Sequence, residues 1–280
     1  MTTFSASLPV NMSSLLELSG LFSGTLTPAN VVYGPAVISY DVIVTSPVMH
    51  VTFLGAFQYD GGGNLIGGTM NCIIVAENGA PAYSITGFTA SVQTLLQDAT
   101  ASHVMDFFYG LFAGPDKITA SSGNNLLLGF GGNDMIVAGT GNDTLNGGIG
   151  NDTLVGGPGN DHFVFDTAPG MDNVDTITNF HHGDQIDLSA HLFHWNREHH
   201  GHLVTSAFYE CDRPKAVEDV PKAINRSQHI IYNDASGALY YNPTGGHMSA
   251  NGHFVSGHEY LFAVVVGHPE LSAHDFTIIA

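Results

Sequence analysis

Basic side chains are scarce: Lys and Arg together number 6 against 25 Asp and Glu, a formal net charge of -19 in 280 residues. A phosphate backbone is bound by clustered Lys and Arg that displace its counterions. A nucleic-acid partner is therefore excluded, and an anionic membrane surface is disfavoured on the same ground. Charged residues of all kinds reach only 11%, where about 25% is ordinary. The longest apolar run, Tyr260 to Val266, has seven residues, far short of the roughly 18 that mark a membrane span, so no transmembrane segment is expected. The first basic residue is Lys117, so the positively charged start of a Sec-type signal peptide is not expected either. Cys72 and Cys211 lie too far apart for a zinc knuckle. They read as small buried hydrophobes, with a single disulfide left open.

What is present is glycine: 34 residues, 13 of them between Gly114 and Gly159. That stretch repeats every nine residues. Asp116, Asn125, Asp134, Asp143, Asp152 and Asp161 keep the phase. Two residues after each stands an apolar side chain: Ile118, Leu127, Ile136, Leu145, Leu154 and Phe163. Two residues before each stands Gly114, Gly123, Gly132, Gly141, Gly150 or Gly159. The fullest copies are GGIGNDTLV (147–155) and GGPGNDHFV (156–164). A linker would have no reason to hold an apolar residue in strict phase.

The glycine half of each unit, including Gly148 and Gly157, suits a tight turn whose carbonyls point inward. The half after the Asp suits a short strand with its central residue in a core. Two units then make one coil of 18 residues, which stacks Asp116 on Asp134, Asp134 on Asp152, and Asp143 on Asp161. Such carboxylates repel unless a hard cation sits among them, and Ca²⁺ tolerates an irregular cage of carboxylates and carbonyls. Candidate ligands are Asp116, Asp134, Asp143, Asp152 and Asp161, with Gly132, Gly141, Gly148, Gly150, Gly157 and Gly159 supplying backbone oxygens.

These residues resemble the RTX (hemolysin-type) calcium-binding nonapeptide. The run DNVDTITNFHHGDQIDLS (172–189) resembles the segment that follows such repeats, and it adds Asp175 and Asp184 to the candidate metal set. Residues 230–245 and 267–280 resemble the C-terminal region of type I-secreted members. The resemblance spans about 110–280, weakly in 190–229. It implies a calcium-loaded parallel β-roll, and export through a type I secretion apparatus by an uncleaved C-terminal signal. Asn125 departs from the pattern, which puts the calcium sites nearest to it in doubt.

Ahead of the repeats, residues 36–46, 48–60, 65–77 and 82–90 are rich in β-branched and aromatic side chains. GGGN (61–64) and NGAP (78–81) punctuate them as turns, so antiparallel hairpins are expected. From Ser91 to Phe112 the apolar period changes to three and four through Val92, Leu95, Leu96, Ala99, Val104, Met105, Phe108 and Phe112. This predicts an amphipathic helix capping the open end of the roll. The head carries six charged residues (Glu17, Asp41, Asp60, Glu77, Asp98, Asp106), which points to self-association as an oligomer or polymer. The expected fold is mainly all-β, in three parts. Residues 1–112 form a β-rich head with a capping helix, 113–166 a parallel β-roll of nonapeptide repeats, and 167–280 a β-rich cap with the secretion region.

Histidine is the second anomaly, with 14 of 16 residues from His162 onward. His191, His194, His199, His200 and His202 are dense enough to bind Zn²⁺ or another transition metal, although no ligand spacing selects a site. The plainer reading is polar surface. No nucleophile elbow, Walker loop or metalloprotease helix is present. The expectation is a secreted, non-enzymatic calcium-binding protein with a surface-layer, matrix or filament role. A ligand- or glycan-binding module on the same cassette, and a secreted hydrolase, stand as alternatives.

Overall fold

A computed structural model describes residues 3–6, 29–33, 37–43, 48–59, 61, 65–77, 80–91, 110–120, 122–170, 172–193, 201–211, 229–243 and 260–280. The head contributes β1 (Thr3–Ala6), β2 (Ala29–Tyr33), β3 (Val37–Ile43), β4 (Val48–Tyr59), β5 (Leu65–Glu77) and β6 (Ala80–Ser91). β2 to β6 run as an antiparallel meander with Phe53, Ile73 and Ile85 in one cross-strand row. All three are buried. The four strand segments expected from composition are therefore β3 to β6.

The roll follows as β7 (Lys117–Thr119), β8 (Leu126–Leu128), β9 (Met135–Val137), β10 (Thr144–Asn146), β11 (Thr153–Val155), β12 (His162–Phe165), β13 (Asp175–Thr178) and β14 (Gln185–Ser189). Three residues are enough for each strand because the next turn of glycines reverses the chain. Odd strands pair in parallel with odd strands and even with even, two units apart. The central side chains Ile118, Leu127, Ile136, Leu145, Leu154, Phe163, Ile177 and Ile186 are fully buried between the two sheets. Each such burial stabilises by about 1.5–3 kcal/mol.

The remaining strands are β15 (Gly201–His202), β16 (Phe208–Cys211), β17 (Ile230–Asn233), β18 (Ala238–Tyr241), β19 (Tyr260–Val265) and β20 (Phe276–Ile279). β19 pairs in parallel with β13, and β20 with β14. The C-terminal residues thus add one more coil to the roll, and both sheets run through position 166 without a break.

One sheet has 14 strands in the order β16-β17-β18-β19-β13-β11-β9-β7-β1-β6-β5-β4-β3-β2, and the other has six, β15-β20-β14-β12-β10-β8. β1 is parallel to β7 on one side and antiparallel to β6 on the other. Phe4 occupies the register position between Ile118 of the roll and Ile85 of the head. The β7 edge of the roll's first coil is covered by β1, which satisfies the unpaired N–H and C=O groups there. The expected helix itself lies outside the described residues, except that 110 and 111 are helical. Phe112 is fully buried and stacks on Phe130 at 5.6 Å. Cys72 is a half-buried free thiol rather than a buried hydrophobe, its pKa raised by burial.

Deleting Met1 to Ala6 is expected to lower the unfolding temperature of the roll in calcium and to uncouple head from roll. With a few ladder hydrogen bonds lost, the destabilisation is about 2–4 kcal/mol. Calorimetry showing one unchanged transition would refute the clasp role of β1.

Candidate metal centre

Each roll strand is preceded by or begins with an Asp or Asn at the end of a loop, glycine-rich before β9 to β12, and the loops stack in two rows. One row ends in Asp116, Asp134, Asp152 and Asp175, the other in Asn125, Asp143, Asp161 and Asp184. None of these carboxylates is more than 3% exposed. The stacking expected from a spacing of 18 holds, and the last step in each row lengthens to 23.

The rows are built by a bond that the spacing did not disclose. The backbone N–H of each loop's acidic residue donates to Oδ1 of the Asp one coil further on. Asp116 donates to Asp134 (2.8 Å), Asp134 to Asp152 (2.7 Å) and Asp152 to Asp175 (3.1 Å). In the other row, Asn125 donates to Asp143 (2.7 Å), Asp143 to Asp161 (2.9 Å) and Asp161 to Asp184 (2.9 Å). Half of each carboxylate is therefore held by protein. The other half is not: Oδ2 of Asp134, Asp143, Asp152 and Asp161 is buried with no hydrogen-bond donor among the described residues. A buried anionic oxygen without a partner is costly.

The glycines explain how the loops come this close. A Cβ on Gly129, Gly147 or Gly156 would collide with Oδ2 of Asp134, Asp152 or Asp161 in its own loop. Gly132, Gly141, Gly150 and Gly159 leave no room for a Cβ beside the carbonyl of the glycine 18 residues earlier. Gly148 and Gly157 lie likewise against the carbonyls of Phe130 and Gly139. Gly150 and Gly159 also sit at φ 137° and 151°, a region that L side chains rarely adopt.

An outer asparagine ladder, one residue before the acidic one, was missed. Asn142 N–H donates to Asn124 Oδ1, Asn151 N–H to Asn133 Oδ1, and Asn160 N–H to Asn142 Oδ1, each at 2.9 Å. Its signal was visible, since Asn recurs at 124, 133, 142, 151 and 160. His181 was missed as well; its Nε2–H donates to the Gly157 carbonyl at 2.9 Å.

Burial pushes the Asp134 carboxyl up to about 7, with Asp152 and Asp116 adding to it. Burial raises Asp161 to about 6, and Asp175 to about 8 with Asp152 beside it. Asp143 and Asp152 move up for the same reason. Inward-facing oxygens that attract either a proton or a cation, with glycine carbonyls alongside, fit a hard, oxygen-preferring ion.

Among the described residues, no group of three or more His, Cys, Asp or Glu side chains is placed to hold a metal ion, so an ion in the acidic loops would depend on backbone carbonyls beside the carboxylates. His191 and His202 are described, the latter 6.3 Å from His274 between ring centroids. His194, His199 and His200 lie outside the described residues. His162 Nδ1 contacts Asp187 Oδ2 at 2.8 Å.

A sequence model of the RTX calcium-binding nonapeptide repeat (4 copies) matches residues 112–145 and 128–163. Those residues contain β7 to β11 and the acidic loops before them. Residues 112–163 therefore carry RTX nonapeptide repeats, and repeats of this kind bind Ca²⁺. No curated protein matches the chain. Among solved structures it is similar to the solution structure of the AlgE6R3 subunit from the Azotobacter vinelandii mannuronan C5-epimerase. That match has 22% identity and a TM-score of 0.33, over 59% of this chain and 78% of the other.

Carboxyls whose native pKa lies above the unfolded value of 3.8 disfavour the folded state as pH rises through the interval between the two. The metal-free roll should therefore be most stable near pH 4 and lose stability up to about pH 8, the Asp175 value. Thermal melts in metal-free buffer at pH 5 and pH 8 measure this. A higher melting temperature at pH 8 would contradict it.

Proposed function

We propose that this chain is a secreted calcium-binding RTX protein that folds on extracellular Ca²⁺ and serves a surface-layer, matrix or filament role. One observation carries the reading: the Oδ2 atoms of Asp134, Asp143, Asp152 and Asp161 are buried with no protein donor. Without a cation, these charges and the entropy of a glycine-rich chain oppose folding, which suits a chain that leaves the cell unfolded through a type I secretion apparatus. Extracellular calcium modules bind with Kd of about 10⁻⁴–10⁻³ M. A site held at about ten times its Kd adds roughly 1.4 kcal/mol, so several sites together approach the whole stability of a domain. Asp116, Asp134, Asp143, Asp152, Asp161 and Asp175 supply the carboxylates in this reading, and the loop glycines supply carbonyls.

The assembly part rests on the head. Among the described residues the 14-stranded sheet ends at β2, whose sequence ANVVY has no charge and no proline. An edge without Lys or Pro is open to pairing with another copy.

Removing calcium with EGTA is expected to abolish the β-signal of residues 114–165 in circular dichroism, and returning calcium should restore it. A roll that stays ordered in chelator would overturn the reading. Asp152→Ala should raise the calcium midpoint of folding several-fold, and Asn125→Ala should raise it much less. Chromatography and negative-stain imaging in calcium should show polymers that Val31→Lys on β2 disperses; a monomeric wild type would favour the ligand-binding module instead.

A further inference from the structure

The two rows of acidic loops are not equivalent. In the row of Asp116, Asp134, Asp152 and Asp175, Thr167 Oγ1 donates to the Gly148 carbonyl at 2.8 Å near the last gap. In the other row, a nitrogen of the protein reaches the loop carbonyls and carboxylates at both ends. At the start, Asn125 Nδ2 donates to the Gly123 carbonyl and, at 3.0 Å, to Asp143 Oδ1. At the finish, His181 Nε2–H donates to the Gly157 carbonyl at 2.9 Å, and its Nδ1 lies 3.4 Å from Asp184 Oδ1. The backbone N–H of His181 also donates to Asp184 Oδ2 at 2.9 Å. With Asp161 N–H on Oδ1, Asp184 has both carboxylate oxygens served by the protein.

We infer that the chain's own side chains stand in for calcium at both ends of this second row, with the Asn125 amide between loops 125 and 143 and the His181 imidazole between loops 161 and 184. Calcium then enters that row only between Asp143 and Asp161. The inference rests on the calcium-folding reading above. The physical reason for such end-pieces is that a terminal gap has a stacked coil on one side only. An ion there is more open to water, whereas a covalently attached donor cannot be lost when calcium falls. The loops at both ends of the row are then held before any ion arrives, which lowers the entropy cost of binding the central one.

Calcium content of the folded chain, measured by atomic emission after dialysis against calcium buffer, tests this. Asn125→Asp should gain about one calcium equivalent per chain, since a carboxylate cannot donate to the Gly123 carbonyl. Asp184→Asn should leave the content unchanged, and Asp161→Asn, at the central gap, should lose about one equivalent. The inference is overturned if folded Asn125→Asp gains nothing, or if Asp184→Asn loses as much calcium as Asp161→Asn. Should Asn125→Asp fail to fold, the Asp184 and Asp161 pair of isosteric variants decides alone. A wild-type chain that is folded but holds no calcium would instead refute the calcium-folding reading itself.

Discussion

A carboxylate held by one oxygen and left open at the other is the constraint on which the roll depends. Oδ1 of each ladder Asp accepts a backbone N–H from the preceding coil, and that bond fixes the rise between coils. Oδ2 of Asp134, Asp143, Asp152 and Asp161 is sealed inside with no donor among the described residues. The protein alone completes the spacing but leaves the charge unmatched. Stability is thereby tied to an external cation, because neither protonation at neutral pH nor exposure to water relieves the site without cost.

The glycines and the apolar strands serve that arrangement from opposite sides. Glycine lets one loop lie against the carbonyls of the loop 18 residues earlier, where any Cβ would clash. The single inward residue of each strand, from Ile118 to Ile186, fills the space between the sheets. Phe130 shows the limit of the rule, since it takes φ 68° at a position where later copies have glycine. Its ring stacks on Phe112 at the first coil, and this packing offsets a backbone cost of about 1–2 kcal/mol.

Continuity of the larger sheet joins the modules mechanically. β1 pairs with β7 and with β6, so the edge created when the first coil forms is the edge on which the head is seated. At the other end β19 and β20 seat the C-terminal residues on the last repeat strands. The C-terminal residues are thus part of the folded roll.

The nine-residue period by itself determined the coil, the inward residues and the vertical alignment of the acids, because a stacked repeat has few ways to bury one apolar residue per unit. The head strands were also legible, from β-branched runs bounded by Gly and Asn turns. Only the tertiary structure decided which oxygen of each Asp is already satisfied, that Asn125 and His181 reach into their loops, and that Thr3 to Ala6 pairs with the first coil. These depend on contacts between residues 18 to more than 100 positions apart, and a four-residue strand or a lone histidine has no periodicity to announce them.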